Sequence, residues 1–78
     1  MSAHTVDARG LRCPIPIIRL AQLAAQLSAG DTIDIVASDP AAEFDVPAWC
    51  RMKGKQCSPP SISTDNEGRW QVAFTVVC

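Results

Sequence analysis

Two short runs rich in β-branched residues, Thr5-Val6-Asp7-Ala8 and Thr32-Ile33-Asp34-Ile35-Val36-Ala37, are joined through a single helical stretch, which narrows the possible folds more than any other feature of the chain. From Pro14 to Ala29 the apolar residues Ile17, Leu20, Ala21, Ala24 and Leu27 share a face, while Arg19, Gln22 and Gln26 lie opposite. Gly30 stands where a C-terminal cap is expected. Strand, helix and strand make a βαβ unit, so the two strands should be parallel and the crossover right-handed.

The remaining chain adds a helix and a strand pair. Ser38 to Phe44 is rich in turn residues, and Asp45-Val46-Pro47 has the cap-then-proline order of a helix start, which predicts a second helix over Val46 to Lys53, ended by Gly54. Its inward side carries Val46, Trp49, Cys50 and Lys53, which places Cys50 in or near the core. Lys55 to Thr64 contains the adjacent Pro59 and Pro60 and is expected to form an irregular third strand at an edge, a bulge or a break. Asp65-Asn66-Glu67-Gly68 reads as a hairpin turn, and Arg69 to Val77 alternates Trp70, Val72, Phe74 and Val76 against Gln71, Ala73 and Thr75 as a fourth strand. The order β-α-β-α-β-β implies one α/β (α+β) domain over residues 1–78, a two-layer sandwich with both helices on one face of a four-stranded mixed sheet.

Cys13 sits where the first strand should run into the first helix, just beyond the strand's carboxyl end, where functional residues collect in such units. Pro14 suits the first helical position and makes Cys13 the expected N-cap; Pro16 still lies in the first turn, where amides lack helical partners. A local conflict remains, because a residue before proline is pushed out of the α region, which disfavours Ile15 in a helix. Such conflicts concentrate at functional sites. A thiolate here would face the positive helix end, worth about half a pKa unit, with Arg9 and Arg12 nearby. The expectation is a thiol lowered roughly 1 to 1.5 units from about 8.5. The competing reading is a small apolar filler.

With 78 residues the chain has a thin core and no room for a second substrate-binding domain, which favours a carrier or adaptor over an enzyme with a deep pocket. Seven Lys and Arg against eight Asp and Glu leave a charge of −1 without a basic face, and two Trp with two Phe make no stacking platform, so direct nucleic-acid binding is not expected. Met1 to Asp7 lacks the charged and apolar regions of a signal peptide, and no stretch is long enough to span a membrane. The expectation is a cytoplasmic, bacterial-type monomer with reduced cysteines. Zinc fits poorly, since there is no C-x-x-C pair and His4, expected to fringe the first strand, is the only histidine; no metal or cofactor is expected. Cys57 and Cys78 have no visible activating environment, although either could form an adventitious disulfide.

Asp7-Ala8-Arg9-Gly10-Leu11-Arg12-Cys13-Pro14-Ile15-Pro16 resembles the C-P-x-P signature of the TusA/SirA family of small sulfur-carrier proteins, and Ser38-Asp39-Pro40-Ala41 with Asp45-Val46-Pro47-Ala48-Trp49-Cys50 resembles that family's second block. The resemblance implies a persulfide relay. Cys13 would accept a sulfane sulfur from a cysteine desulfurase, a rhodanese or another carrier, and pass it on in transfer-RNA thiolation, molybdenum-cofactor maturation or sulfur oxidation. Arg12, Arg9, Pro14 and Pro16 would support the thiolate or persulfide. Family members known for transfer-RNA thiolation have glutamate between the prolines; Ile15 in its place suggests an apolar contact with a partner. Two other readings stand beside the relay: a regulatory module with Cys13 as redox sensor, and a dithiol oxidoreductase pairing Cys13 with Cys50 or Cys57.

Overall fold

The computed structural model describes all 78 residues. Strand β1 (Ala3–Ala8) is followed by helix α1 (Ile15–Ala24), strand β2 (Thr32–Ala37), helix α2 (Ala42–Lys53) and strands β3 (Gln56–Cys57), β4 (Ser61–Thr64) and β5 (Trp70–Val77). β1 and β2 are parallel, with Val6 opposite Ile35 and Ala8 opposite Ala37, as a βαβ unit requires. β5 lies antiparallel to the other side of β2, and its far edge carries both β3 and β4. The expected third strand is therefore two strands. Pro59 and Pro60, which have no N–H to donate to a ladder, separate Gln56–Cys57 from Ser61–Thr64, so the mixed sheet has five strands rather than four.

The core lies between the sheet and the two helices. Val6 and Ala8 of β1, Ile33, Ile35 and Ala37 of β2, and Val72, Phe74 and Val76 of β5 are buried on one face. Leu20 and Ala24 of α1 and Ala42, Val46, Trp49 and Cys50 of α2 cover them, so Cys50 is in the core as its spacing predicts. The alternate residues point to the opposite face, where Thr75 Oγ1 donates to Asp34 Oδ1 at 2.7 Å. His4 lies in β1, its Nε2 2.8 Å from Ser2 Oγ.

Both helices differ from expectation at their ends. α1 stops at Ala24, not Ala29: the Gln26 and Leu27 amides bond back three residues, to Leu23 and Ala24, and the Ser28 amide donates to Asp31 Oδ2 at 2.9 Å. A side chain thus takes an amide that further helix would have used. Gly30, at φ 93°, belongs to the turn that follows, and its N–H donates to the Cys78 carbonyl at 2.9 Å. α2 begins at Ala42 rather than Val46, because Asp39 organises the turn ahead of it: its Oδ1 accepts the Ala41 N–H at 3.0 Å and its carbonyl accepts the Ala42 N–H at 3.0 Å. Pro47 then falls inside the helix, where its missing N–H leaves the Glu43 carbonyl without its usual partner. Gly54 ends α2 as expected, in the left-handed conformation with φ 69°.

Candidate functional site

The carboxyl ends of β1 and β2 lie side by side, and the loop from Arg9 to Pro14 crosses this end of the sheet before α1 begins. Two side chains just beyond β2 pin it. Ser38 Oγ accepts the Gly10 N–H at 2.8 Å, and Asp39 Oδ2 accepts the Cys13 N–H at 2.9 Å. Cys13 is half-buried against the core, while Pro14 and Ile15 are exposed and Pro16 is fully buried. Pro14, joined to Cys13 by a cis peptide, is the N-cap of α1, one position later than expected, and Ile15 is the first helical residue despite the proline after it.

The charges around the thiol are opposite in sign to those the sequence suggests. Arg9 is turned away from the sulfur and grips Asp7, Nε to Oδ1 at 2.9 Å and Nη2 to Oδ2 at 2.8 Å, which holds the Asp7 carboxyl at about 2. Arg12 is exposed, and its charge acts on Asp39, whose carboxyl is lowered chiefly by the Cys13 and Ala41 amides. The neighbours of the Cys13 sulfur are carboxylates. Burial first, then the Asp45 and Asp39 carboxylates, push the Cys13 thiol up to about 11. The expected lowering by the helix dipole and two arginines is therefore corrected. The amide of Cys13 is occupied by Asp39, the Arg9 guanidinium is neutralised by Asp7, and α2 brings acid to the site.

A surface depression of about 330 Å³ beside the loop, lined in part by Gly10, Arg12 and Asp39, is too open to enclose a substrate. A partly exposed thiol on a small scaffold, without an enclosing pocket, suits reaction with another macromolecule. Comparison with known families agrees. Residues 4–75 match the model of the family described as sulfurtransferase TusA. The chain belongs to the TusA family. It is 41% identical over 54 residues to each of two sulfur-carrier candidates from Neisseria meningitidis, one of serogroup A and one of serogroup B, an alignment that spans 69% of this chain and 73% of theirs. Its fold is similar to the crystal structure of a SirA-like protein from Desulfitobacterium hafniense, with a TM-score of 0.76, 25% sequence identity and 96% of each chain covered.

A TusA-family protein is a sulfur carrier and so works between a sulfur donor and a sulfur acceptor. The other three cysteines stand apart from Cys13. Cys57 pairs with Val76, whereas the Cys13 loop follows Ala8, whose neighbour Ala37 pairs with Val72. The two positions are four residues apart along β5, roughly 13 Å of strand. Cys50 is buried on α2, which packs against the β3 strand that carries Cys57, and burial pushes its thiol up to about 12. The structure thus brings Cys50 and Cys57 together and leaves Cys13 away from both. No His, Cys, Asp and Glu are grouped to hold a metal ion, and no helix is long and apolar enough to cross a membrane. Asp39 and Asp45 are the site residues that sequence reasoning assigned only to a turn and a cap. The signal for them was their place after the second parallel strand, at the end of the sheet that carries the Cys13 loop.

Proposed function

We propose that Cys13 is the sulfur-accepting residue of this TusA-family carrier, acting in the cytoplasm on a sulfur donor of the cysteine desulfurase or rhodanese type and then on an acceptor protein. The observation that carries the reading is the placement of Cys13: partly exposed, on a loop pinned by Ser38 and Asp39 at the strand ends, in a chain of this family. In the transfer, the Cys13 sulfur attacks the outer sulfur of a donor cysteine persulfide. A Cys13–sulfur bond forms, the donor's sulfur–sulfur bond breaks, and the donor cysteine leaves as a thiolate that takes up the proton Cys13 lost. No net oxidation occurs. Ile15, 41% exposed beside the cysteine, provides apolar contact for the partner, and the rigid Pro14 and Pro16 on either side fix its direction. Arg12, the unpaired cation of the loop, is available to a persulfide anion on Cys13. The same chemistry would serve transfer-RNA thiolation, molybdenum-cofactor maturation or sulfur oxidation.

A redox-sensor role would leave Cys13 oxidised rather than loaded with sulfur. The deciding measurement is intact mass after incubation of reduced protein with a cysteine desulfurase and cysteine. One sulfur is expected on the wild type and on Cys50→Ser, and none on Cys13→Ser. Loading that persists in Cys13→Ser would place the carrier function on another thiol.

A further inference from the structure

β1 is an edge strand whose outer side is open: the sheet order places β2 on one side of it and no strand on the other. The Ser2 carbonyl accepts the Thr32 N–H at 2.9 Å, so Ser2, and with it His4, Val6 and Ala8, turn their backbone groups towards β2. Ala3, Thr5 and Asp7 therefore turn theirs outward, where no other segment of the chain pairs with them. The opposite edge is guarded, because Pro59 and Pro60 break it into strands of two and four residues. β1 keeps an unbroken register over six residues, with neither proline, lysine nor bulge. Beside its open edge a groove of about 330 Å³ runs between β1 and α1. Val6 and Leu23 are its apolar residues, and Arg19, Gln22 and Gln26 form its α1 wall. Arg19 is exposed and takes no part in the ion pairs of the structure, whereas Asp7, the one acid of the groove, is already held by Arg9.

We propose that this edge and groove receive an extended segment of the sulfur-donor protein as an added strand, with an acidic side chain directed at Arg19 and an apolar one against Val6 and Leu23. The outward groups of Thr5 and Asp7 supply the backbone ladder, and the groove reads alternate side chains of the segment. β1 ends at Ala8 and leads through Arg9 to Arg12 into Cys13, so a donor strand aligned on it approaches the thiol. A second copy of this chain fits the edge less well. A two-fold contact would oppose the groove with the same cation rather than its complement, and a six-residue edge, roughly 20 Å long, buries less than the roughly 1,200 Å² of a stable dimer. That the occupant is the donor rests on the carrier reading; the open edge does not.

The test is amide hydrogen exchange, read residue by residue by NMR in Cys13→Ser so that docking is observed without sulfur transfer, with a cysteine desulfurase as the probe. At saturating desulfurase, Thr5 and Asp7 should exchange about tenfold more slowly than in the free protein, while His4 and Val6, already paired with β2, keep their rates. Adding Arg19→Glu should raise the desulfurase concentration that gives half of this protection about two- to tenfold. Arg19→Glu alone should still take sulfur on Cys13 from a chemical polysulfide, which shows the loop intact. Unchanged exchange at Thr5 and Asp7, with a desulfurase that loads wild-type Cys13, overturns the proposal and leaves the carrier reading standing. Protection that appears without desulfurase and grows with carrier concentration also overturns it, assigning the edge to a second copy. Equal protection of His4 and Val6 overturns it too, since that is general stabilisation. Protection at Thr5 and Asp7 without sulfur loading of wild type keeps the edge site and overturns the carrier reading alone; neither protection nor loading overturns both.

Discussion

Asp31 shows how much one carboxylate can organise in so small a protein. It is 9% exposed; Oδ1 accepts the Ser2 N–H and Oδ2 the Ser28 N–H, each at 2.9 Å, and its carbonyl accepts the Cys78 N–H at 2.8 Å. Both ends of the chain and the end of the α1–β2 connection thus meet at one residue. The Ser28 and Ser2 amides lower its carboxyl below the usual range. Because the folded value lies below the unfolded one, its contribution to stability is complete above the ordinary carboxylate pKa of about 3.9 and is lost as pH falls through the folded value. Asp31→Asn should therefore lower Tm at neutral pH, and the gap from wild type should close in acid. Thermal melts at neutral pH and near pH 2 check this; a gap that persists in acid would mean the side chain acts by packing rather than by charge. Arg9 is the contrasting case. It forms a two-point ion pair with Asp7, yet both side chains are about half exposed, so the pair adds little stability. Its consequence is to engage at Asp7 one of the two cations that the sequence places near Cys13.

Among the elements, apolar pattern was legible and termini were not. β2 has the bounds its alternation predicts, and Val46, Trp49 and Cys50 point inward as their spacing requires. α1 ends five residues short because Asp31 captures the Ser28 amide, and α2 starts four residues early because Asp39 builds its first turn; neither contact has a signature in local periodicity. The candidate site divides in the same way. The position of Cys13 followed from its proline neighbours, but its electrostatics depend on Asp39, 26 residues away in sequence, and on the more distant Asp45. Two substitutions separate packing from backbone conformation. Leu20 is fully buried at the centre of the α1 interface, so Leu20→Ala should cost about 2 to 5 kcal/mol, much of the stability of a domain this size. Gly54 has open space where a Cβ would stand but a φ of +69°, so Gly54→Ala should cost only about 1 kcal/mol, from strain alone. Urea unfolding measures both; equal losses would mean that the α2 terminus contributes packing absent from its surroundings.

On the scale of the whole molecule, the sheet separates two sulfur environments. The end at which β1 and β2 finish carries Cys13, while the end at which β5 finishes carries Cys57 and Cys78, with Cys50 beneath them in the core. Cys50 is 1% exposed and pushed up to about 12, so in the folded protein it is neither reachable nor ionised at neutral pH. Cys57 and Cys78 are only half-buried. Labelling with a small alkylating reagent should therefore give distinct rates, with Cys57 and Cys78 modified through local fluctuation and Cys50 only through global unfolding. Rates read by peptide mass across a urea series should show Cys50 following the unfolding free energy with the full denaturant dependence, while Cys57 and Cys78 show a weak dependence at low urea. If Cys50 were modified as fast as Cys57, the β3 edge would have to open with α2 while the rest of the sheet stayed intact. Donor and acceptor proteins would then meet a carrier whose far end is already loose. Slow labelling of Cys50 would instead describe a rigid scaffold in which movement is confined to the Cys13 loop, and sulfur exchange at one end would leave the thiols at the other untouched.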